Sequence, residues 1–171
     1  MADVLTAPHA VAAIVLCIAG IAKLHSPAGA VRALRSAGLV VGAAAVRAFA
    51  AAELALGAWC LLAPSPPGSG LLACTYAGFA GLSVALARSS AACGCFGEAD
   101  TPASLGQSGL SAALAALSLT SALSAPHGAG WIITRPPVLA ATLAAGIAGA
   151  AYATVLAYTA LPRAWRAWSA S

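Results

Sequence analysis

Four long stretches of this chain contain no charged side chain, and they limit the folds that it can adopt. Asp, Glu, Lys and Arg are absent from residues 4–22, 54–87, 101–134 and 136–162. The 171 residues are 61% hydrophobic and only 7% charged, whereas about a quarter of the residues in a soluble domain are charged. A bilayer span needs about 20 apolar residues. The sequence therefore predicts a protein that crosses a membrane several times.

These stretches are expected to be helices. In lipid every backbone polar group must be bonded within the protein, and the alternating pattern of a membrane barrel is absent from the sequence. We predict an all-α polytopic membrane helix bundle with about five transmembrane helices, a four-helix core plus one. The proline- and glycine-rich residues 64–70 predict a loop that is not helical. The predicted spans are 7–24, 44–63, 71–87, 105–125 and 138–161, with a short amphipathic helix over 28–37.

The distribution of basic residues predicts how the bundle is oriented. Under a five-span arrangement, one side carries seven basic residues and the other carries only Arg135. The seven are Lys23, Arg32, Arg35, Arg47, Arg88, Arg163 and Arg166. The positive-inside rule then places the first loop, the loop after the third span and the C-terminus in the cytoplasm. The expected location is the cell membrane.

The loop after the third span contains the most distinctive motif, Cys93-Gly94-Cys95-Phe96-Gly97. Two cysteines separated by one residue can close a disulfide only as a small, tight ring. A strained disulfide is easier to reduce than a structural one. This favours Cys93 and Cys95 as a pair for thiol–disulfide exchange, and the alternative is a turn of small residues with two free thiols.

Several ionisable residues are predicted to lie near these thiols. The end of the first span and the start of the second share a membrane face with the cysteine loop, which brings Lys23, His25 and Arg47 toward it. A nearby cation stabilises a thiolate, although Lys23 also fits a lysine that snorkels to headgroups and His25 a solvated loop residue. Glu53 lies inside the second span, where a carboxylate is costly and usually functional. Its partner is either Arg47 or Lys23, and the pair is either structural or a proton relay.

Three further cysteines lie within the predicted spans. Cys60 and Cys74 flank the proline-rich loop at similar distances. They form a candidate second thiol pair if their helices face each other, and otherwise they are buried free thiols like Cys17. Two thiolates do not complete a four-ligand zinc site, so no metal is firmly predicted, although soft Cu(I) accepts thiolate ligands readily.

The order of these features resembles that of a known family. A first helix ends in Gly20-Ile21-Ala22-Lys23-Leu24-His25-Ser26-Pro27, a second carries Glu53, and a third leads into the cysteine motif. Over about residues 10–125 this looks like the MauE family, named for methylamine utilisation and related to the DoxX-like membrane proteins. The resemblance implies a compact bundle of four or five helices that serves disulfide formation or maturation of partner proteins, often beside a thioredoxin-like protein.

The resemblance also suggests which residues act. The resemblance implies that Cys93 and Cys95 are the redox pair and that Lys23 and Glu53 are the polar residues that accompany it. Members often have a basic start to the fourth helix, whereas Gln107 and Ser108 stand there in this chain. We expect one integral membrane domain over residues 1–171, with the family core over about 10–125 and an extra span over about 138–161.

The sequence thus predicts a membrane thiol–disulfide oxidoreductase. Cys93 and Cys95 would exchange electrons with a thioredoxin-like or maturing partner protein, and a membrane quinone would be the second redox partner, by analogy with four-helix membrane thiol oxidases. Lys23 would stabilise a thiolate and Glu53 would handle the proton. The alternatives are a non-enzymatic assembly factor that binds copper through the cysteines, and a subunit that anchors a thioredoxin-like partner. The lipid bilayer is the other expected partner, and nucleic acid is not expected to bind.

Overall fold

The structure is a computed structural model that describes residues 2–89 and 103–160. These residues form seven helices and no strand, which confirms the all-α prediction. The helices are α1 (Ala2–His25), α2 (Ala28–Ser36), α3 (Ala43–Leu62), α4 (Pro66–Arg88), α5 (Leu105–Ser124), α6 (Ala129–Ile133) and α7 (Pro137–Thr159).

Four of these helices, α1, α3, α4 and α7, are long and apolar enough to cross a membrane. The prediction of a polytopic helix bundle is therefore confirmed. Helix α5 has 20 residues and packs along α4. It is not among the four, and its glutamine and serines make it more polar. Its buried side chains include Gln107 and four serines, so its polar side chains face the protein.

The prediction that residues 64–70 are not helical is wrong, because α4 already begins at Pro66. Proline at the first helical positions needs no N–H partner, and its fixed φ suits a helix start. Ser65 caps this helix by accepting a hydrogen bond from the Gly68 N–H over 3.3 Å. The connection between α3 and α4 is therefore a turn of three residues, 63–65, and the two helices run antiparallel.

Helix α1 is the centre of the bundle, in contact with α3, α5 and α7, while α4 packs along α5. The α1–α3 interface is very close. A Cβ atom added at Gly20 would lie 2.8 Å from the Ala50 carbonyl oxygen, and one at Gly57 would lie 2.8 Å from the Ala13 carbonyl oxygen. Small residues permit this approach of two helix backbones in lipid, and the approach sets how α1 side chains meet those of α3.

Buried hydrogen bonds connect the remaining helices. The Tyr76 hydroxyl of α4 donates to the Ala12 carbonyl of α1 over 2.7 Å. The Gln107 amide of α5 donates to the Tyr158 carbonyl of α7 over 2.7 Å, and Gln107 also completes a capping box with Ser104. Ser108 donates to the Ala80 carbonyl over 3.0 Å. The polar residues at the start of α5 thus join three helices, α4, α5 and α7.

Candidate functional site

A buried ion pair joins α1 to α3 near one end of the bundle. The Lys23 ammonium lies 2.8 Å from Oε1 and 2.7 Å from Oε2 of Glu53. The Lys23 and Glu53 side chains are only 6% and 1% exposed. Both carboxylate oxygens therefore accept a hydrogen bond from one ammonium group, with almost no water around the pair.

The packing of α1 on α3 explains why these two residues meet. Gly20 lies three residues before Lys23 in α1. Because it has no side chain, α1 can lie directly against the Ala50–Leu54 turn of α3. Side chains on a helix lean toward its N-terminus, so the lysine stem points back into the bundle from the end of α1. Of the two partners that the sequence left open for Glu53, the structure selects Lys23, since Arg47 is exposed and makes no described ion pair.

An aromatic ring completes the surroundings of the ammonium group. Lys23 Nζ lies 4.8 Å from the centre of the Phe79 ring of α4, within the range of a cation–π contact. The ion pair thereby contacts three helices, α1, α3 and α4. His25, by contrast, is exposed, and its Nδ1 lies 3.0 Å from the Ile21 carbonyl of its own helix, which fits the solvated histidine weighed above.

A cavity of about 640 Å³ lies next to the ion pair. Its lining comes from Lys23 of α1, from α2 and the segment that follows it, and from α3 and α4, and it is almost entirely apolar. The polar or sulfur-bearing residues of the lining are Lys23, Cys74 and Thr75. Pockets that hold small molecules have volumes of roughly 300–1,000 Å³ and combine an apolar wall with a few polar groups. The cavity has the dimensions and the lining of such a pocket.

The predicted redox pair, Cys93 and Cys95, lies outside the described residues. The segment that carries it begins after Arg88 at the end of α4 and returns to α5 at Leu105. Because α4 runs parallel to α1, these attachment points are at the end of the bundle where α1 terminates, two residues after Lys23. The structure thus positions Lys23 and Glu53 at the end from which the cysteine segment emerges.

The other three cysteines are free thiols. Cys60 is buried in the core, whereas Cys74 is exposed and lines the cavity. The candidate second disulfide between them is therefore not formed in the structure, and the thiols occupy different environments because the two helices do not direct these residues at each other. Cys17 is partly buried, and its Sγ lies 3.8 Å from the Leu54 carbonyl.

Two of the buried polar residues that the sequence did not single out have side-chain atoms without a hydrogen-bond partner in the described part of the chain. His9 is 1% exposed and neither of its ring nitrogens has a hydrogen bond among the described residues; Ser69 is fully buried and its hydroxyl is likewise unpaired there. A histidine within an apolar run is the signal that marks His9, while Ser69 resembles the many other small residues. No group of three or more His, Cys, Asp or Glu side chains suited to a metal occurs within residues 2–89 and 103–160.

Comparison with known proteins gives one positive result. A family model described as methylamine utilisation protein MauE matches residues 1–125. The chain belongs to the MauE family. The match covers α1 to α5 together with the cysteine motif, so the ion pair, the cavity and Cys93 and Cys95 all lie within the MauE region, and α7 follows it. Neither the curated proteins nor the solved structures contain a match to the chain.

Proposed function

We propose that this MauE protein is a membrane thiol–disulfide oxidoreductase in which Cys93 and Cys95 exchange electrons with a thioredoxin-like or maturing partner protein. In one direction, a partner thiolate attacks the Cys93–Cys95 disulfide and forms a mixed disulfide. The second partner thiol then resolves it, which leaves the partner oxidised and the pair as two thiols. The reverse sequence reduces the partner. Each turnover moves two electrons and two protons.

The observation that carries this proposal is the buried Lys23–Glu53 ion pair. Removing two charges from water costs several kcal/mol per ion. A protein in which apolar residues of similar size replace a buried ion pair is often as stable as the original, or more stable. Stability alone is thus a weak reason to keep such a pair inside a membrane bundle, where ionisable residues are usually functional. Its position at the end where the cysteine segment emerges indicates which chemistry it serves.

The two members of the pair have complementary roles in this proposal. The Lys23 ammonium stabilises a negative charge that develops on a thiolate nearby. The Glu53 carboxylate accepts a proton when a thiol is deprotonated and returns it when a thiol forms. Because the two side chains are hydrogen-bonded to each other, a change of charge on one side chain alters the electrostatic environment of the other. Both are positioning and charge-balancing residues, and the sulfur atoms of Cys93 and Cys95 carry the bond changes.

We also propose that the cysteine segment faces the cytoplasm. Lys23 is buried in an ion pair with Glu53, so we leave it out of the comparison of basic residues at the two membrane interfaces. Arg32, Arg35, Arg47 and Arg88 are exposed at this end, against Arg135 at the other. This bias supports the cytoplasmic assignment by the positive-inside rule, and it favours exchange with a reducing thiol pool.

The test is thiol exchange by the purified protein in phosphatidylcholine proteoliposomes, with a reduced thioredoxin-like protein as the partner. Cys93→Ser and Cys95→Ser are expected to abolish disulfide transfer, measured by trapping free thiols and weighing the partner by mass spectrometry. Cys17→Ala is the matched control, since it removes a thiol from a span and should retain the wild-type rate. Wild-type transfer in either serine variant contradicts the proposal. Stoichiometric copper that depends on Cys93 and Cys95, without any transfer, identifies the protein as a copper-binding assembly factor instead.

A further inference from the structure

The cavity beside Lys23 is bordered by exposed apolar side chains of two candidate membrane spans. Its lining includes Phe49 of α3 and Leu71 of α4, which are 54% and 52% exposed on two helices that are long and apolar enough to cross a membrane. Helix α2 closes it from the headgroup side through Ala30 and Ala33, while Arg32 and Arg35 on the same helix stay exposed. A molecule reaches this cavity from the hydrocarbon phase, which selects ligands that dissolve in lipid.

One hydrogen-bond donor inside the cavity has no acceptor among the described residues. An ammonium group has three N–H donors, and Glu53 accepts two of those of Lys23. Lys23 is among the residues that line the cavity, and its third N–H makes no hydrogen bond within residues 2–89 and 103–160, so this N–H is the donor that a ligand there would meet. The Thr75 hydroxyl already donates to the Leu71 carbonyl over 2.9 Å, which leaves Lys23 as the donor for a ligand. The cavity therefore fits a ligand with a hydrogen-bond acceptor.

Charge excludes an anionic head group from this position. Lys23 is already neutralised by Glu53 at 2.7 Å. An added phosphate or carboxylate would leave a net negative charge in an apolar cavity, where an unpaired ion is very costly. A neutral carbonyl accepts the third N–H without that cost. The cavity thus discriminates against phospholipid head groups and in favour of neutral carbonyl compounds.

The walls suit a flat ring with an apolar tail. Phe79, whose ring centre lies 4.8 Å from the Lys23 ammonium, lines the cavity, so a planar ring that binds Lys23 would lie beside an aromatic side chain. Gly78 leaves open space next to it, since an added Cβ there would meet no atom within 4 Å. We infer that this cavity binds the ring of a lipid-soluble quinone, with the Lys23 ammonium donating to a ring carbonyl. The inference rests on the proposed function for the redox role of the quinone, but the binding itself does not depend on it.

The electron balance fits such a ligand. When Cys93 and Cys95 form a disulfide, two S–H bonds break, one S–S bond forms, and two electrons and two protons leave. Reduction of a quinone to a quinol consumes the same two electrons and two protons. The cavity contains Lys23, the ammonium that the proposed function assigns to the thiols, so one ion pair serves both halves of the reaction.

Cys74 gives a direct readout of occupancy, because its thiol is exposed and lines the cavity. The experiment uses the full chain with Cys93→Ser and Cys95→Ser, in phosphatidylcholine nanodiscs, and measures the rate at which N-ethylmaleimide alkylates Cys74. The probe is decylubiquinone, whose fully substituted ring does not add a thiol readily. At about ten times its Kd, the ligand should slow alkylation about tenfold, because the free fraction is 1/(1 + [L]/Kd).

Two glycine variants on α4 provide a matched comparison. Gly78→Leu fills the cavity, and decylubiquinone should then give no further protection of Cys74. Gly81→Leu adds the same side chain to the same helix, also in open space, but Gly81 does not line the cavity, so protection should remain at the wild-type level. Both changes alter helix propensity equally. The two variants therefore differ in whether the added side chain enters the cavity.

Each outcome bears on the inference. Protection by decylubiquinone that Gly78→Leu abolishes and Gly81→Leu retains supports it. Absence of protection, equal protection in Gly78→Leu, or equal protection by decanol, which has the tail without the ring, overturns it, the last because the cavity would then bind only lipid chains. Since Cys93 and Cys95 are absent from this background, a failure of the proposed thiol chemistry leaves the binding result unaffected, and the two failures are distinguishable.

Discussion

The Lys23–Glu53 pair allows a prediction that separates a structural role from a functional one. Glu53→Leu removes both acceptors of the Lys23 ammonium, whose side chain is only 6% exposed. Breaking a buried pair by removing one partner costs about 3–5 kcal/mol, because an uncompensated charge stays buried. Lys23→Met combined with Glu53→Leu removes both charges and fills the space with apolar side chains of similar length. The double variant should therefore lie within about 1 kcal/mol of the wild-type free energy of unfolding.

The assay is unfolding of the protein in mixed micelles of a mild and a denaturing detergent, followed by circular dichroism, together with disulfide transfer to the partner. We expect the single variant to be unstable and inactive, and the double variant to be stable and inactive. A double variant that transfers disulfides at the wild-type rate refutes the functional role of the pair. A double variant as unstable as Glu53→Leu shows that the pair holds α1 and α3 together, and it removes the main observation behind the proposed function.

The remaining predictions concern packing and orientation. Gly20→Ala should destabilise the bundle by about 1–3 kcal/mol, as overpacking of a close interface does, because its Cβ would lie 2.8 Å from a backbone oxygen of α3. Gly146→Ala in α7, where a Cβ meets nothing within 4 Å, is the control and should be neutral or slightly stabilising in the same unfolding assay. In intact cells, a variant that keeps only Cys93 and Cys95 should resist a membrane-impermeant maleimide until the membrane is permeabilised. Prompt labelling from outside would reverse the orientation and favour oxidation of exported partners.

Much of the fold could be predicted because the lipid bilayer restricts which backbone structures can cross it. Charge-free runs of bilayer length admit only helices, and the observed helices begin and end close to the predicted spans. The main difference lies at residues 64–70, where the prolines and glycines predict a loop and the structure has the start of α4. Pro66 and Pro67 instead occupy the first turn of α4, the one place in a helix where a missing N–H is harmless.

Both members of the buried ion pair could be predicted from the sequence as notable residues, but their pairing could not. Glu53 stood out because a carboxylate inside a span is costly, and Lys23 because it follows the first apolar run. The choice of Lys23 over Arg47 as partner depends on how α1 rotates against α3, which Gly20 and Gly57 set through backbone contacts across helices. Spacing along one helix carries no information about that rotation.

The sequence by itself determined that this protein is a multi-pass helical member of the MauE family, and it singled out the acidic, basic and cysteine positions. The free-energy cost of placing a polar or charged side chain in lipid depends mainly on that residue, so the residues that carry this cost can be recognised in a single sequence. Only the tertiary structure decided that one ammonium shares both oxygens of one carboxylate, that Cys60 and Cys74 stay apart, and that a cavity adjoins the pair. A cavity is a property of the space between α2, α3 and α4, and that space exists only after the helices have packed.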